Sequence, residues 1–413
     1  MLTWLSRRRF PYEPLITVEI SKSRLIHNMK EFEKLAPGGC IAPVLKSNAY
    51  GHGLLEVARI LESDTFNQKH RQGNVTIGTI PFFVVDSYFE AIALRSRHIR
   101  TPILIIGYTR PETIAIARLK HVSFTITSLE MLRVVAKSSG AERTNSGMIS
   151  IDFPIVGTRH PRLIHLKIDT GMRRQGIMPH EIPEAIEIIK KCGSMVLEGI
   201  CSHLCDADSA DWTFTEEQIA RWNRIVKQMR IAFPRVKYWH LSNTDGHRFR
   251  DEIDANVSRL GIGLYGLTVG NIFSPSLDLL PVMKMKTIIT GIKQMKTNET
   301  TGYGNAFQAK KDMTIATIPA GYFEGLDRRL SNTGTILVGP NRIPCPIIGR
   351  VSMNITTVDV SNVPDAKAGM SIVAISDNQE DQNSILSIAK ICRTIPYEIT
   401  VKIPAQLKRV VTD

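Results

Sequence analysis

Short apolar runs that stop abruptly at a polar or turn residue recur through the first two thirds of the chain. Ile41–Leu45 stops at Lys46, Phe82–Val85 at Asp86, Ile103–Ile106 at Gly107 and Val122–Ile126 at Thr127. Ile164–Ile168 stops at Asp169, Leu197–Ser202 at His203, Tyr238–Leu241 at Ser242 and Asn243, and Ala255–Ser258 at Arg259. Runs this short and this uniformly apolar suit strands covered on both faces. Amphipathic stretches separate them. Thr127-Ser-Leu-Glu130 has the spacing of a capping box ahead of Met131–Lys137, with Gly140 placed to stop the helix. Thr215-Glu-Glu-Gln218 repeats the signal ahead of Ile219, Trp222, Val226 and Met229, which share one helical face. Pro183 opens a further helix that Gly193 can end.

Strand-then-helix alternation of this kind predicts an α/β fold, an eight-stranded parallel (β/α)8 TIM barrel over residues 15–270, close to the ~250 residues such a barrel needs. A doubly wound open sheet remains the alternative. The pattern changes after Gly270. Met283–Ile289 alternates with period two, and Met313–Pro319, Thr335–Val338, Ile343–Ile348 and Met353–Asp359 are short runs separated by Gly, Pro and Asn. Residues 271–413 therefore read as a second, mostly β domain interrupted by a helix near Ser384–Cys392.

Composition narrows the class. A chain of 413 residues with 43% hydrophobic and 22% charged residues is long enough for two domains and too apolar for global disorder. No uninterrupted apolar run approaches the ~18 residues of a membrane helix, so no membrane role is expected. Lys plus Arg exceed Asp plus Glu by 13. The basic residues are dispersed, however, and the one tight run, Arg7-Arg8-Arg9, has no interleaved aromatics. That pattern disfavours nucleic acid as the partner. Six cysteines form no C-x-x-C pair, and Cys201 and Cys205 have no second pair to complete a zinc site. No metal is expected, and a reduced, cytoplasmic setting fits. The N-terminus has arginines without the apolar core of a signal peptide.

In such a barrel the chemistry lies at the carboxyl ends of the strands, which makes Lys46, Asp169, His203, Asn243 and Arg259 the candidates. Lys46 ends a wholly apolar run. A lysine desolvated there loses charge and attacks carbonyls, the way an aldehyde cofactor such as pyridoxal phosphate is held. The competing reading is a lysine reaching out to solvent. Arg259-Leu-Gly-Ile-Gly-Leu-Tyr-Gly266 follows the eighth run. Gly261 and Gly263 would let backbone N–H groups approach a phosphate, with Thr244 adding a hydroxyl. A barrel-closing turn of small residues explains the same glycines.

These segments together resemble the alanine racemase family. Val44-Leu-Lys-Ser-Asn-Ala-Tyr-Gly-His-Gly53 resembles its pyridoxal-phosphate attachment motif, and His165-Leu-Lys-Ile-Asp-Thr-Gly-Met-Arg-Arg-Gln-Gly176 its central motif. Ser202-His203, His240-Leu-Ser-Asn-Thr244, Arg259–Gly266, Gly302-Tyr-Gly304, Pro319–Tyr322, Gly349–Met353 and Pro396-Tyr-Glu398 continue it in order, covering about Leu15 to Arg409.

The resemblance implies a head-to-tail homodimer with active sites shared between subunits, and a small amino-acid substrate. It implies interconversion of L- and D-alanine, supplying D-alanine for peptidoglycan. It further implies that Lys46 carries the cofactor as a Schiff base and acts as one base, while Tyr303 of the partner chain acts as the other. Arg259 would bond the pyridine nitrogen, with His203 near the ring. Tyr50, Thr244, Gly261 and Ile262 would hold the phosphate. Arg174 and the Met353 N–H would meet the substrate carboxylate, and Lys167 matches a lysine that some members carry as a carbamate.

Two bases on opposite faces of a flat, activated amino acid are the simplest route to racemisation. A phenol ionises near pH ~10 in water, so a tyrosine base needs cations such as Arg174 close by. His52, His165 and His240 are assigned no catalytic role, and Tyr265 and Tyr322 read as supporting residues.

The chain departs from the family at Asn354, where most members have Asp, at Arg173, where glycine is common, and at Ala405, where a tyrosine usually reaches the phosphate. Ala405 raises the alternative of a racemase with broader specificity, for serine or larger side chains. A non-catalytic pyridoxal-phosphate carrier would lack the second domain and Tyr303. Related decarboxylases share the barrel but have a more glycine-rich phosphate site.

Overall fold

The structure is a computed structural model that describes residues 12–35, 39–63, 80–137, 161–269 and 277–413. Arg7–Arg9, Gly140 and Gly270 lie outside the described residues. The chain divides into two compact units, Arg24–Leu279, and Leu280–Asp413 together with the segment up to Ser23.

All eight apolar runs of the first unit form parallel strands: β2 (Cys40–Pro43), β3 (Phe83–Val85), β4 (Ile103–Ile105), β5 (Val122–Ile126), β6 (Arg162–Lys167), β7 (Met195–Cys201), β8 (Tyr238–His240) and β9 (Val257–Leu260). They do not form the single eight-stranded ladder expected from the sequence. β3 to β8 make one six-stranded sheet in chain order, and β2 and β9 make a separate pair. Isolated bonds span the two gaps. The Leu45 N–H donates to Val84 O (2.7 Å) between β2 and β3, and the Asn256 N–H to Trp239 O (3.1 Å) between β8 and β9.

Pro43 explains the first gap. Cys40 and Val44 donate to the β9 side, at Asn256 O and Leu260 O. Strand alternation then turns residues 41, 43 and 45 toward β3, and Pro43 at the centre has no N–H to give.

Helices run Leu54–Glu62, Tyr88–Ser96, Leu129–Lys137, Ile182–Lys191 and Thr213–Ala232 between these strands. Their starts correct two cap assignments. Ser128, not Thr127, accepts the Met131 N–H (3.1 Å), and the helix begins at Leu129, ahead of the expected Met131. Thr215 lies fully buried inside the Thr213–Ala232 helix, whose start is held instead by Asp211 Oδ1 accepting from the Thr213 N–H (3.0 Å). Ile219, Trp222, Val226 and Met229 are all buried, as their common face requires.

The second unit is mostly β. Its nine-stranded sheet has the order β11 (Gly291–Met295), β14 (Met313–Ile318), β17 (Thr356–Asp359), β16 (Ile343–Ile348), β15 (Thr335–Val338), β18 (Ser371–Ile375), β10 (Met283–Ile288), β1 (Thr17–Ser21) and β19 (Lys408–Thr412). The expected strands appear as β10 (Met283–Ile288), β14 (Met313–Ile318), β15 (Thr335–Val338), β16 (Ile343–Ile348) and β17 (Thr356–Asp359). Five segments of this unit were not expected as strands: β11 (Gly291–Met295), β18 (Ser371–Ile375), β19 (Lys408–Thr412), and the small hairpin of β12 (Thr300–Thr301) with β13 (Phe307–Gln308). Ser384 caps the expected helix, Ile385–Ile391.

The first strand, β1 (Thr17–Ser21), falls within the span expected for the barrel but pairs antiparallel with β10 and parallel with β19. Its alternation is the reason. Val18 and Ile20 are fully buried while Glu19 between them meets Lys286 (2.7 Å) and Lys284 (3.9 Å) on β10. A strand with one charged face suits a half-solvated antiparallel sheet rather than a barrel wall. Among the described residues no helix is long and apolar enough to cross a membrane, and no cluster of ligating side chains suits a metal.

Candidate active site

Lys46 stands where β2 ends and is half-buried. The next four residues are left-handed: Ser47, Asn48, Ala49 and Tyr50 have φ of 55°, 57°, 53° and 53°. A left-handed turn of L-residues costs roughly 1–2 kcal/mol per residue, so it persists only where surroundings hold it. Glu90 Oε1 accepts the Ser47 N–H (2.6 Å), and Asn48 Oδ1 accepts the Leu54 N–H (3.0 Å). Buried His52 bonds the carbonyls of Ala49 and Tyr50 through Nδ1 (both 3.1 Å). Its ring stacks on Tyr265 at 4.3 Å, and the Tyr265 hydroxyl donates to Val44 O (2.8 Å). His52, Tyr265 and Glu90 thus serve the turn that presents Lys46. Only the spacing around Ser87, whose capping box includes Glu90, hinted at the last of these.

Thr244, Gly261, Ile262 and Tyr50 form a buried cradle. Thr244 Oγ1 accepts N–H groups from both Gly261 (3.1 Å) and Gly263 (3.3 Å). A Cβ on Gly261 would sit 2.9 Å from Tyr50 Oη and 3.7 Å from Thr244 Oγ1. The glycine is therefore required by close approach, and two hydroxyls converge on the space it leaves. Burial pushes the Tyr50 phenol up, against the pull of Arg259, so it stays a hydrogen-bond donor.

Arg259 is buried, and among the described residues no carboxylate pairs with it. Nη1 donates to His240 Nδ1 (2.6 Å) and His240 O (2.9 Å); Nη2 donates to Ser202 O (2.7 Å), His203 Nδ1 (3.0 Å) and Leu241 O (3.0 Å). None of these bonds uses Nε. Because arginine only donates, both Nδ1 atoms must accept, and each ring's proton sits on Nε2. His240 then reaches His165 Nδ1 at 2.8 Å, and His165 Nε2 lies 3.8 Å from Glu198 Oε2. Burial, then Arg259, holds His240 and His203 well below the usual histidine range.

His203 also feels Lys167, Arg174 and Lys46, so the site is cationic. Lys167 donates to Gln175 Oε1 (3.1 Å), and burial lowers its pKa. The loop beyond β6 is shaped by Asp169, whose Oδ1 accepts the N–H groups of Gly171 (2.8 Å) and Arg173 (3.2 Å). Arg173 adopts φ 57°, the conformation that makes glycine the common residue there. Gln218 ties the loops together. It accepts the Cys205 N–H (3.0 Å) and donates to His203 O and Thr170 Oγ1 (both 3.2 Å). Expected as a helix-capping residue, it positions His203 instead.

The structure thus gathers Lys46, Tyr50, His203, Thr244, Arg259, Gly261 and Ile262 in the first unit, with exposed Arg174 on the loop after β6. In the second unit Tyr303 is 71% exposed between Gly302 and Gly304, and Met353 is 55% exposed. Ala405 is exposed in a turn held by Arg409, which donates to the carbonyls of Pro404 and Ala405. An anionic group fits the Thr244–Gly261 cradle, a carbonyl carbon fits the Lys46 amine, and an aromatic nitrogen fits Arg259 Nε, which none of the bonds above engages. That donor set matches pyridoxal phosphate.

Residues 20–269 match the family model "Alanine racemase, N-terminal domain" and residues 282–411 match "Alanine racemase, C-terminal domain". The chain belongs to the alanine racemase family. An alanine racemase of Syntrophobacter fumaroxidans is 33% identical over 92% of this chain and 93% of its own. Alanine racemase 2 of Caldanaerobacter subterraneus subsp. tengcongensis is 31% identical over 95% and 94%. The solved alanine racemase of Clostridium difficile 630 is similar with a TM-score of 0.82 and 27% identity, covering 97% of this chain and 96% of that one.

Proposed function

We propose that this racemase-family chain interconverts L- and D-alanine with pyridoxal 5'-phosphate. The observation that carries the reading is Arg259: a buried arginine whose bonds all go to neutral acceptors, beside a hydroxyl-lined glycine cradle and the turn that presents Lys46. The bound cofactor supplies an electron-withdrawing ring that loosens the α-proton of an attached amino acid. Lys46 would hold the aldehyde carbon in the resting enzyme, and its amine, released when the substrate amine takes that place, would move the proton on one face of Cα. Tyr303 of the partner chain moves it on the other. Arg259 donates through Nε without surrendering a proton, which favours return of the proton to Cα over transamination. Tyr50, Thr244, Gly261 and Ile262 hold the phosphate. Arg174 and the Met353 N–H hold the substrate carboxylate.

A homodimer with shared sites, a closed barrel and a cytoplasmic setting complete the reading. Bonds at both edges of the β2–β9 pair support closure, and six unpaired cysteines support a reducing compartment. Exposed Tyr303, Tyr322, Phe323, Met353 and Ile355, all on the second unit, support an interface there.

Borohydride reduction of the holoenzyme followed by peptide mapping should label Lys46, and label on Lys167 or none would reject that role. Mixing Lys46→Ala chains with Tyr303→Phe chains should restore alanine racemisation, because one site of the heterodimer keeps both bases. No recovery after proven subunit exchange rejects the shared site.

A further inference from the structure

Segments 321–324 and 352–355 of the second unit are bonded side by side. The Tyr322 N–H donates to Ser352 O (3.0 Å), the Phe323 N–H to Met353 O (2.9 Å), and the Ser352 N–H to Ile355 O (3.0 Å). Gly321 permits the approach, since a Cβ there would lie 2.2 Å from Ser352 O. One consequence is geometric. A planar trans peptide points its N–H opposite to its C=O. Ser352 O is engaged by Tyr322, so the Met353 N–H is turned away from segment 321–323, at an exposed position.

One side-chain bond ties the far end of the same loop. Asn354 Nδ2 donates to Glu324 Oε1 at 2.7 Å, while Glu324 Oε2 accepts the Gly321 N–H at 2.9 Å. Glu324 is 8% exposed, and among the described residues no cation pairs with it. A buried carboxylate needs hydrogen bonds to both oxygens. The second donor is the Asn354 amide, and an aspartate at 354 would set a second acceptor against Glu324. The departure at Asn354 and the glutamate at 324 therefore form a matched pair.

We propose that the Asn354–Glu324 bond is a clamp that aims the Met353 N–H, making Asn354 a positioning residue for recognition of the amino-acid substrate's carboxylate. The inference rests on the racemase reading, which assigns that N–H to the carboxylate. The racemase reading gives neither Asn354 nor Glu324 a proton to move or a cofactor atom to hold, so the effect falls on substrate affinity rather than on turnover.

The test measures KM and kcat for alanine in both directions with the holoenzyme and three variants. Asn354→Asp should raise KM about tenfold or more, as expected for losing a hydrogen bond to a charged group, with kcat within about threefold and the cofactor absorption band unchanged. Asn354→Ala, an exposed truncation compatible with folding, should raise KM less. The exchange Glu324→Gln with Asn354→Asp restores a donor–acceptor pair of reversed polarity and should return KM to within about threefold of native. KM unchanged in both single variants overturns the clamp, as does an exchange variant that folds and stays as weak as Asn354→Asp. A loss confined to kcat, or one accompanied by cofactor release, overturns it too. A native holoenzyme that does not racemise alanine overturns the activity reading itself, and is seen before any variant is made.

Discussion

Arg259 Nη1 lies 2.6 Å from His240 Nδ1, and this one contact orders the protons of a buried chain. The arginine cannot accept, so His240 carries its proton on Nε2 and donates to His165 Nδ1. His165 Nε2 faces Glu198 Oε2 at 3.8 Å, beyond hydrogen-bond reach, and Glu198 accepts from Ser123 Oγ (2.6 Å). Arg259 is thereby oriented from within the strand layer, by groups far from the surface.

His240→Phe leaves Arg259 Nη1 and His165 Nδ1 each short of a partner. The expected loss is about 1–3 kcal/mol of stability, the penalty for stranding a buried donor or acceptor. Urea denaturation measures it. His240→Gln, which can offer both an acceptor and a donor, should recover part of the loss, and equal losses for both substitutions would argue against the relay.

Asp245 predicts a pH dependence with a definite sign. It is 4% exposed and has a buried oxygen without a partner. Burial, then Asp208, raises its carboxyl to about 6, against the pull of Arg248. Its folded pKa lies above the unfolded value, so the native state binds the proton more tightly and stability falls as pH rises from about 4 through 6. Asp245→Asn should stabilise the protein above pH 7 by on the order of 2–3 kcal/mol, with the gain vanishing below pH ~4. Thermal melts of both proteins across that range decide it, and a gain that persists in acid would refute the assignment.

Gly261→Ala places a methyl group 2.9 Å from Tyr50 Oη. At φ −95° and ψ −109° the backbone lies outside the regions open to alanine. Strain and crowding both fall on the cradle, so cofactor affinity should drop about tenfold or more and the cofactor-free protein should melt at a lower temperature than the native chain. Absorbance titration with pyridoxal phosphate gives the affinity.

On the racemase reading Ala405 stands in for a tyrosine, and it offers no hydroxyl and little volume. Ala405→Tyr should tighten the cofactor about ten- to a hundredfold, the worth of one hydrogen bond to a charged group, and shift selectivity from serine toward alanine. Racemisation assays on a panel of amino acids measure the shift. A native enzyme specific for alanine alone, with selectivity unchanged by the substitution, would exclude a wider pocket.

The eight parallel strands and the Trp222 helix face were legible in the sequence because uniform apolar runs and a 3.6-residue period are local consequences of burial. Lys46, His203 and Arg259 were legible as candidates because a polar residue closing an apolar run stands out without knowledge of what it touches. Tertiary structure decided the rest, since hydrogen bonding between distant segments leaves no local trace. β1 alternates like many strands, and only Lys284 and Lys286 opposite Glu19 send it to the second unit. Thr215-Glu-Glu-Gln218 reads as a helix start, yet the helix begins earlier, and Gln218 is spent on His203 and Thr170. His165 and His240 are 75 residues apart, and neither hints at the other until the parallel sheet brings β6 and β8 within reach of one hydrogen bond.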